Sequence, residues 1–156
     1  MKLYLFPVLL LAGAALAGCG RELPPPEEQI RALVAEARGA AEERNLSALR
    51  DLVADDYRDA QGRDKSDLVN ILRLIFLRHQ SVYLLTHVQD VAFPEPDRAS
   101  LTVYVAMAAR PFPEHDIGLF RADLHRFDIV LRDAGGGRWQ AVDIEWRRPA
   151  RGDLPF

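Results

Sequence analysis

Between Glu27 and Arg44, apolar residues recur at Ile30, Leu33, Val34, Ala37, Ala40 and Ala41, the spacing of a helix with one buried face. Glu27 and Glu28 put negative charge where the helix dipole favours it. After a break at Asn45, the set Leu49, Leu52 and Val53 predicts a second helix over about 47–54. The stretch 57–62 is polar and turn-like, with a short edge strand as the alternative. Asp64 or Ser66 suits the N-cap of a third helix running to about His79. That helix is apolar on more than one face, through Leu68, Val69, Ile71, Leu72, Leu74, Ile75, Phe76 and Leu77. Such a pattern predicts burial in the chain's own core, with any surplus left for a partner.

Beyond His79 the period falls from 3.6 to 2. Residues 81–93, 99–110, 121–133 and 138–147 read as strands rich in β-branched and aromatic residues. They are separated by Pro94-Glu95-Pro96-Asp97, by a longer proline-containing loop and by Gly135-Gly136-Gly137. Helices followed by strands make an α+β layout, a curved antiparallel sheet packed on the helices. In the third strand Asp123, His125, Phe127, Ile129 and Leu131 share a face; in the fourth, Gln140, Val142, Ile144 and Trp146 do, and both sets are expected on the core side. The other face then carries Leu124, Arg126, Asp128 and Arg132 against Asp143, Glu145 and Arg147, and Arg126 is expected to pair with Asp143 or Glu145. This face reads as solvated, without chemistry.

The first residues are read as a leader. Lys2 precedes an apolar run from Leu3 to Leu16, too short to span a bilayer as a mature helix, and small residues follow up to Cys19. Leu16-Ala17-Gly18-Cys19 resembles the lipobox of bacterial lipoproteins, which implies removal of residues 1–18, lipidation of Cys19 and a Pro-rich tether over 19–26. With one cysteine in the chain, no disulfide framework is available. Lipid chains on Cys19 would hold the protein to a membrane, each buried CH2 contributing about 0.8 kcal/mol. Pro24-Pro25-Pro26 stiffens a tether of only about 20 Å, so the domain is expected close to the lipid surface. Gly20, where inner-membrane retention would favour Asp, points to the outer membrane, facing the periplasm.

The 156 residues are 49% hydrophobic and 28% charged, the composition of one globular domain, expected over 27–148 with a tail at 149–156. A net charge of -3, which losing Lys2 makes more negative, argues against nucleic acid as a partner and against electrostatic clinging to anionic lipid.

Asn45-Leu46-Ser47-Ala48-Leu49, then Leu52-Val53-Ala54-Asp55-Asp56-Tyr57 and Gly62-Arg63-Asp64-Lys65-Ser66-Asp67-Leu68, followed by a third helix and long strands, resemble the nuclear transport factor 2-like, or SnoaL-like, superfamily. The resemblance implies a cone-shaped, cystatin-like α+β fold with three N-terminal helices on a curved sheet of four or more strands. Its members include isomerases, dehydratases, cyclases and binding or assembly domains without activity, so the fold does not supply the function. Its enzymes place an acid or base inside the cone, and a homodimer through the open sheet face is common among them.

The best catalytic candidates are His125 and Asp123, two apart on one strand face, near Tyr57 if the cone holds and across from Trp146 in one register. His87 lies mid-strand with Tyr83 and Leu85 on its face and reads as a hydrogen-bonded or surface side chain before a base. Tyr57, His87, Phe127 and Trp146 are candidate pocket residues. The histidines lack metal-ligand spacing, so no metal is expected. No Gly-x-Ser-x-Gly or phosphate-cradling loop is present, and no cofactor is expected. Arg151-Gly152-Asp153 matches an integrin tripeptide at a length that chance supplies. Phe112, Ile117, Leu119 and Phe120 crowd one loop, as a lid or partner contact would require. The reading favoured is a lipid-anchored periplasmic domain that binds a partner protein or a small apolar ligand without catalysis; the alternative is a small isomerase, dehydratase or cyclase using Asp123 and His125.

Overall fold

A computed structural model describes residues 23–111, 123–150 and 153. Three helices, α1 (Pro26–Glu42), α2 (Leu46–Asp51) and α3 (Lys65–Arg78), precede four strands, β1 (Tyr83–Glu95), β2 (Arg98–Ala108), β3 (Asp123–Asp133) and β4 (Trp139–Arg147). The strands form one antiparallel meander in the order β1-β2-β3-β4. Among the described residues no helix is long and apolar enough to cross a membrane.

The helix ends have local causes. Arg44 adopts a positive φ of 57° and stops α1 before the expected Arg44 terminus. The Asn45 side chain then caps α2 by accepting from the Ala48 amide. The second helix is shorter than its apolar spacing predicts because the chain leaves it to pair with β4. The Ala141 amide donates to the Leu52 carbonyl, and the Ala54 amide donates to the Ala141 carbonyl. Val53 and Ala54 are buried by that pairing, which satisfies backbone groups a helix end would otherwise leave open. At α3 the cap is Asp64, in a reciprocal capping box with Asp67.

One sheet face receives α1. Ile30, fully buried, meets Ala99, Leu101 and Val103 of β2, Leu131 of β3 and Trp139 and Ala141 of β4. Leu33 and Val34 of α1 and Val88 and Val91 of β1 close around this cluster. The Trp139 indole donates to Gln29 Oε1 at 3.0 Å, tying the start of β4 to α1. Gly137 suits this place because its φ of 78° strains other residues, and a Cβ there would push aside the Gln29 side-chain oxygen that accepts that bond.

Register corrects two expectations. Phe127 lies opposite Trp146 and Ile129 opposite Ile144, as a shared core side requires, but a bulge between Val130 and Leu131 brings Leu131 opposite Ala141. Val142 becomes the extra residue and Gln140 falls opposite Arg132, so Trp139 and Ala141, not Gln140 and Val142, continue the inner face. Arg126 sits opposite Arg147, which takes it out of register with both Asp143 and Glu145. Its partner is instead Asp128 on its own strand, at 2.9 Å.

The third helix is less buried than its apolar content predicts. Leu68 and Phe76 are buried, whereas Leu74 is 54% and Leu77 is 73% exposed.

Candidate functional site

On the inner face, past the α1 contact, the sheet turns toward the segment between α2 and α3. Tyr57 and Val53 of that segment and Leu68 of α3 form a second apolar cluster, against which Ile144 and Trp146 of β4 pack. Tyr57 is 1% exposed, and its hydroxyl donates to Asp59 Oδ2 at 3.3 Å. Burial, and then the charge of Asp59, push the phenol well above its usual range, so Tyr57 stays protonated and serves as a donor.

Asp59 is the buried charge of this region. It accepts from the Tyr57 hydroxyl, from the amides of Gln61 and Arg63 and from Arg63 Nε, the last at 2.6 Å. Burial opposes its ionisation, yet the hydrogen bonds and charge of Arg63 and the Gln61 amide hold its carboxyl below the ordinary value of 3.8. Gly62, at φ 77°, closes the turn that lets those amides converge. Asp59 falls in the stretch 57–62 read from sequence as turn-like, and Arg63 follows directly after it. Their four-residue separation, an acid then a base, was the available signal.

Arg63 extends from this clamp over the Trp146 ring, 4.1 Å from its centroid. The Trp146 ring in turn stacks on Phe127 with centroids 6.5 Å apart and planes at 25°, and Phe127 lies 6.5 Å from the His125 ring. Arg63, Trp146, Phe127 and His125 thus form one wall of the interior, and all four keep partial exposure. Such a wall offers flat apolar faces and one fixed cation.

The acid-base candidates sit at the end of this wall. His125 Nδ1 and Asp123 Oδ2 are 4.0 Å apart, beyond hydrogen-bond range, and Asp123 is also engaged by Arg148 at 3.2 Å. His125 is not across from Trp146, because the observed register gives Phe127 that place. His87 is exposed on the opposite sheet face, facing Tyr104 of β2, and takes no part in the cone. Phe112, Ile117, Leu119 and Phe120, together with Cys19 and the leader, lie outside the described residues.

The outer sheet face has a separate, shallow hollow of about 360 Å³. Asp90, Asp128, Asp143 and Glu145 line it with Ser100 and Thr102. Asp143 Oδ1 is buried without a hydrogen-bond partner among the described residues. Among these residues no three acidic, histidine or cysteine side chains are grouped to hold a metal ion.

Compared as a sequence, the chain matches no protein-family model and no curated protein. Solved structures do match. A cystatin-like domain of unknown function from Nostoc punctiforme aligns with a TM-score of 0.63 at 14% identity, covering 83% of this chain and 80% of that one. A ketosteroid isomerase-like protein from Erwinia carotovora aligns at 0.59 and 15% identity, over 82% and 99%. The chain has the NTF2-like, cystatin-like fold. Bd1075 of Bdellovibrio bacteriovorus aligns at a TM-score of 0.61 and 10% identity over 80% of this chain, which spans only 41% of the other protein's length.

Proposed function

We propose that this chain is a lipid-anchored protein of the bacterial envelope whose NTF2-like domain binds an apolar molecule against the aromatic wall of its cone, without converting it. The observation that carries this reading is the state of the polar groups around that wall. Asp59 is consumed by Tyr57, Gln61 and Arg63, and Asp123 by Arg148, while Trp146 and Phe127 stay partly exposed. A ligand there gains from ring stacking and burial of apolar surface. The lipobox-like Leu16-Ala17-Gly18-Cys19 supports the anchor, and Gly20 supports the outer membrane as its place.

N-phenyl-1-naphthylamine tests the binding reading. Saturable binding at one site is expected, weakened about tenfold or more when Trp146 and Phe127 are both replaced by Ala, and unchanged in His87→Ala. Absence of saturable binding, or binding indifferent to the double substitution, contradicts it. His125→Ala separates binding from the isomerase, dehydratase or cyclase alternative. The binding reading expects the cellular phenotype to survive that change, and its loss with NPN affinity intact favours the catalytic alternative. Cys19→Ser checks the anchor: alkyne-palmitate labelling in a bacterial host should vanish, and persistent labelling would rule out lipidation at that thiol.

A further inference from the structure

The outer face of the sheet contains a charge arrangement that the cone does not use. Arg126 of β3 and Arg147 of β4 lie directly opposite one another, a like-charge pair that costs stability unless an anion intervenes. The anion is Asp153. Its carboxylate accepts from Arg147 Nη1 at 2.5 Å, from Arg126 Nη1 at 3.4 Å and from the Ala150 amide at 2.8 Å. Its carbonyl oxygen accepts from the hydroxyl of Tyr104, a β2 residue only 3% exposed.

The receiving side is held by bonds of its own. Thr102 Oγ1 donates to Asp128 Oδ1 at 2.8 Å, and Asp128 engages Arg126 through both Nε and Nη2. Arg126 therefore has its fork fixed by Asp128 and presents Nη1 to Asp153, which leaves little side-chain freedom to lose when a carboxylate arrives. Four features converge on one residue: two guanidinium groups, a buried tyrosine hydroxyl and a backbone amide.

We infer that Arg126, Arg147 and Tyr104 form a recognition site for an aspartate within a peptide, which this chain fills in cis with Asp153. Asp153 thereby acts as a latch on the outer sheet face, and an aspartate-bearing peptide supplied in trans competes for the same seat. The integrin-like tripeptide ending at Asp153 then has an intramolecular use, because its carboxylate is engaged by the chain's own arginines.

The test uses the full chain, its Asp153→Asn variant and a capped hexapeptide with the sequence of residues 151–156, so that the aspartate is its only carboxylate. Asp153→Asn should bind this peptide about tenfold or more tightly than the unaltered chain, the scale of a charge-assisted hydrogen bond. Adding Arg147→Ala should abolish the gain, and a peptide with Asn in place of the aspartate should not bind. Equal binding by both chains, or no discrimination between the two peptides, overturns the inference. A second measurement needs no variant. In the unaltered chain, with Arg126, Arg147 and Tyr104 around it, the Asp153 carboxyl should titrate at about 2 by carbon NMR, held down first by the Arg147 hydrogen bond and then by the Ala150 amide. Titration at the ordinary value of 3.8 would mean that the carboxylate is not seated, and would equally overturn it.

Discussion

The two faces of the sheet are built by different physics. The inner face is held by burial: Ile30, Leu101, Val103, Leu131 and Trp139 exclude water, and an alternating pattern is enough to place them. The outer face is held by chains of charge, Thr102 to Asp128 to Arg126 to Asp153, in which the link from β2 to β3 depends on Thr102 standing opposite Asp128. A two-residue slip would keep the apolar set of β3 on the inner face but would break the Thr102–Asp128 link. The contrast shows why one face follows from residue type and the other from register.

Substitutions should separate the two faces by the size of their effects. Ile30→Ala should cost about 2–5 kcal/mol in urea unfolding, because it empties a fully buried site between α1 and three strands. A loss below that of the outer-face variants would mean that the inner cluster is not the main source of stability. Asp59→Ala comes next, since it leaves two amides without their acceptor and the buried Tyr57 hydroxyl with only the longer bond to the Ile144 carbonyl. Its effect also carries a pH signature. The Asp59 carboxyl is lowered in the folded chain, so its contribution is complete above 3.8 and is lost as pH falls below that toward the folded value. The difference in melting temperature between the unaltered chain and Asp59→Ala should therefore shrink on acidification through that window; a constant difference would contradict the charge-based account.

Thr102→Val tests the outer chain with nearly conserved shape. It should cost about 1 kcal/mol, since Asp128 keeps Arg126 but loses one hydrogen bond. The smallest effect is expected from Arg132→Ala. Its bidentate pair with Asp56, at 2.7 and 2.8 Å, has good geometry, but Asp56 is largely open to water. Melting should not shift beyond replicate scatter, and a loss comparable with Thr102→Val would show that this bridge is worth more than its exposure implies.

Much of the inner face was legible in the chain. Ile30, Leu33 and Val34 mark the buried stripe of α1, Asp64 is one of the two residues offered as the cap of α3, and alternation locates four strands within a few residues. What escaped was the bulge at Val142, because one inserted residue leaves no trace in an alternation this short and reverses the facing of Gln140 and Trp139. The Arg126 pairing escaped because Asp143, Glu145 and Arg147 share one strand face, and alternation does not say which of them stands opposite. Tyr57 and Trp146 were readable as residues of the interior, whereas the Asp59 and Arg63 clamp was not, since a buried ion pair inside a polar turn has the same composition as a solvated one. His87 was misplaced as a pocket residue because the strand parity that puts it opposite Tyr104 is set by pairing with β2.

The central claim, that the aromatic wall of the cone holds an apolar ligand, is tested most directly by native mass spectrometry of residues 20–156 exported to the periplasm and purified without detergent. The account expects a reproducible non-covalent mass excess, released on unfolding and lost when Trp146 and Phe127 are both replaced by Ala. A bare chain mass, or an excess that survives the double substitution, would contradict it.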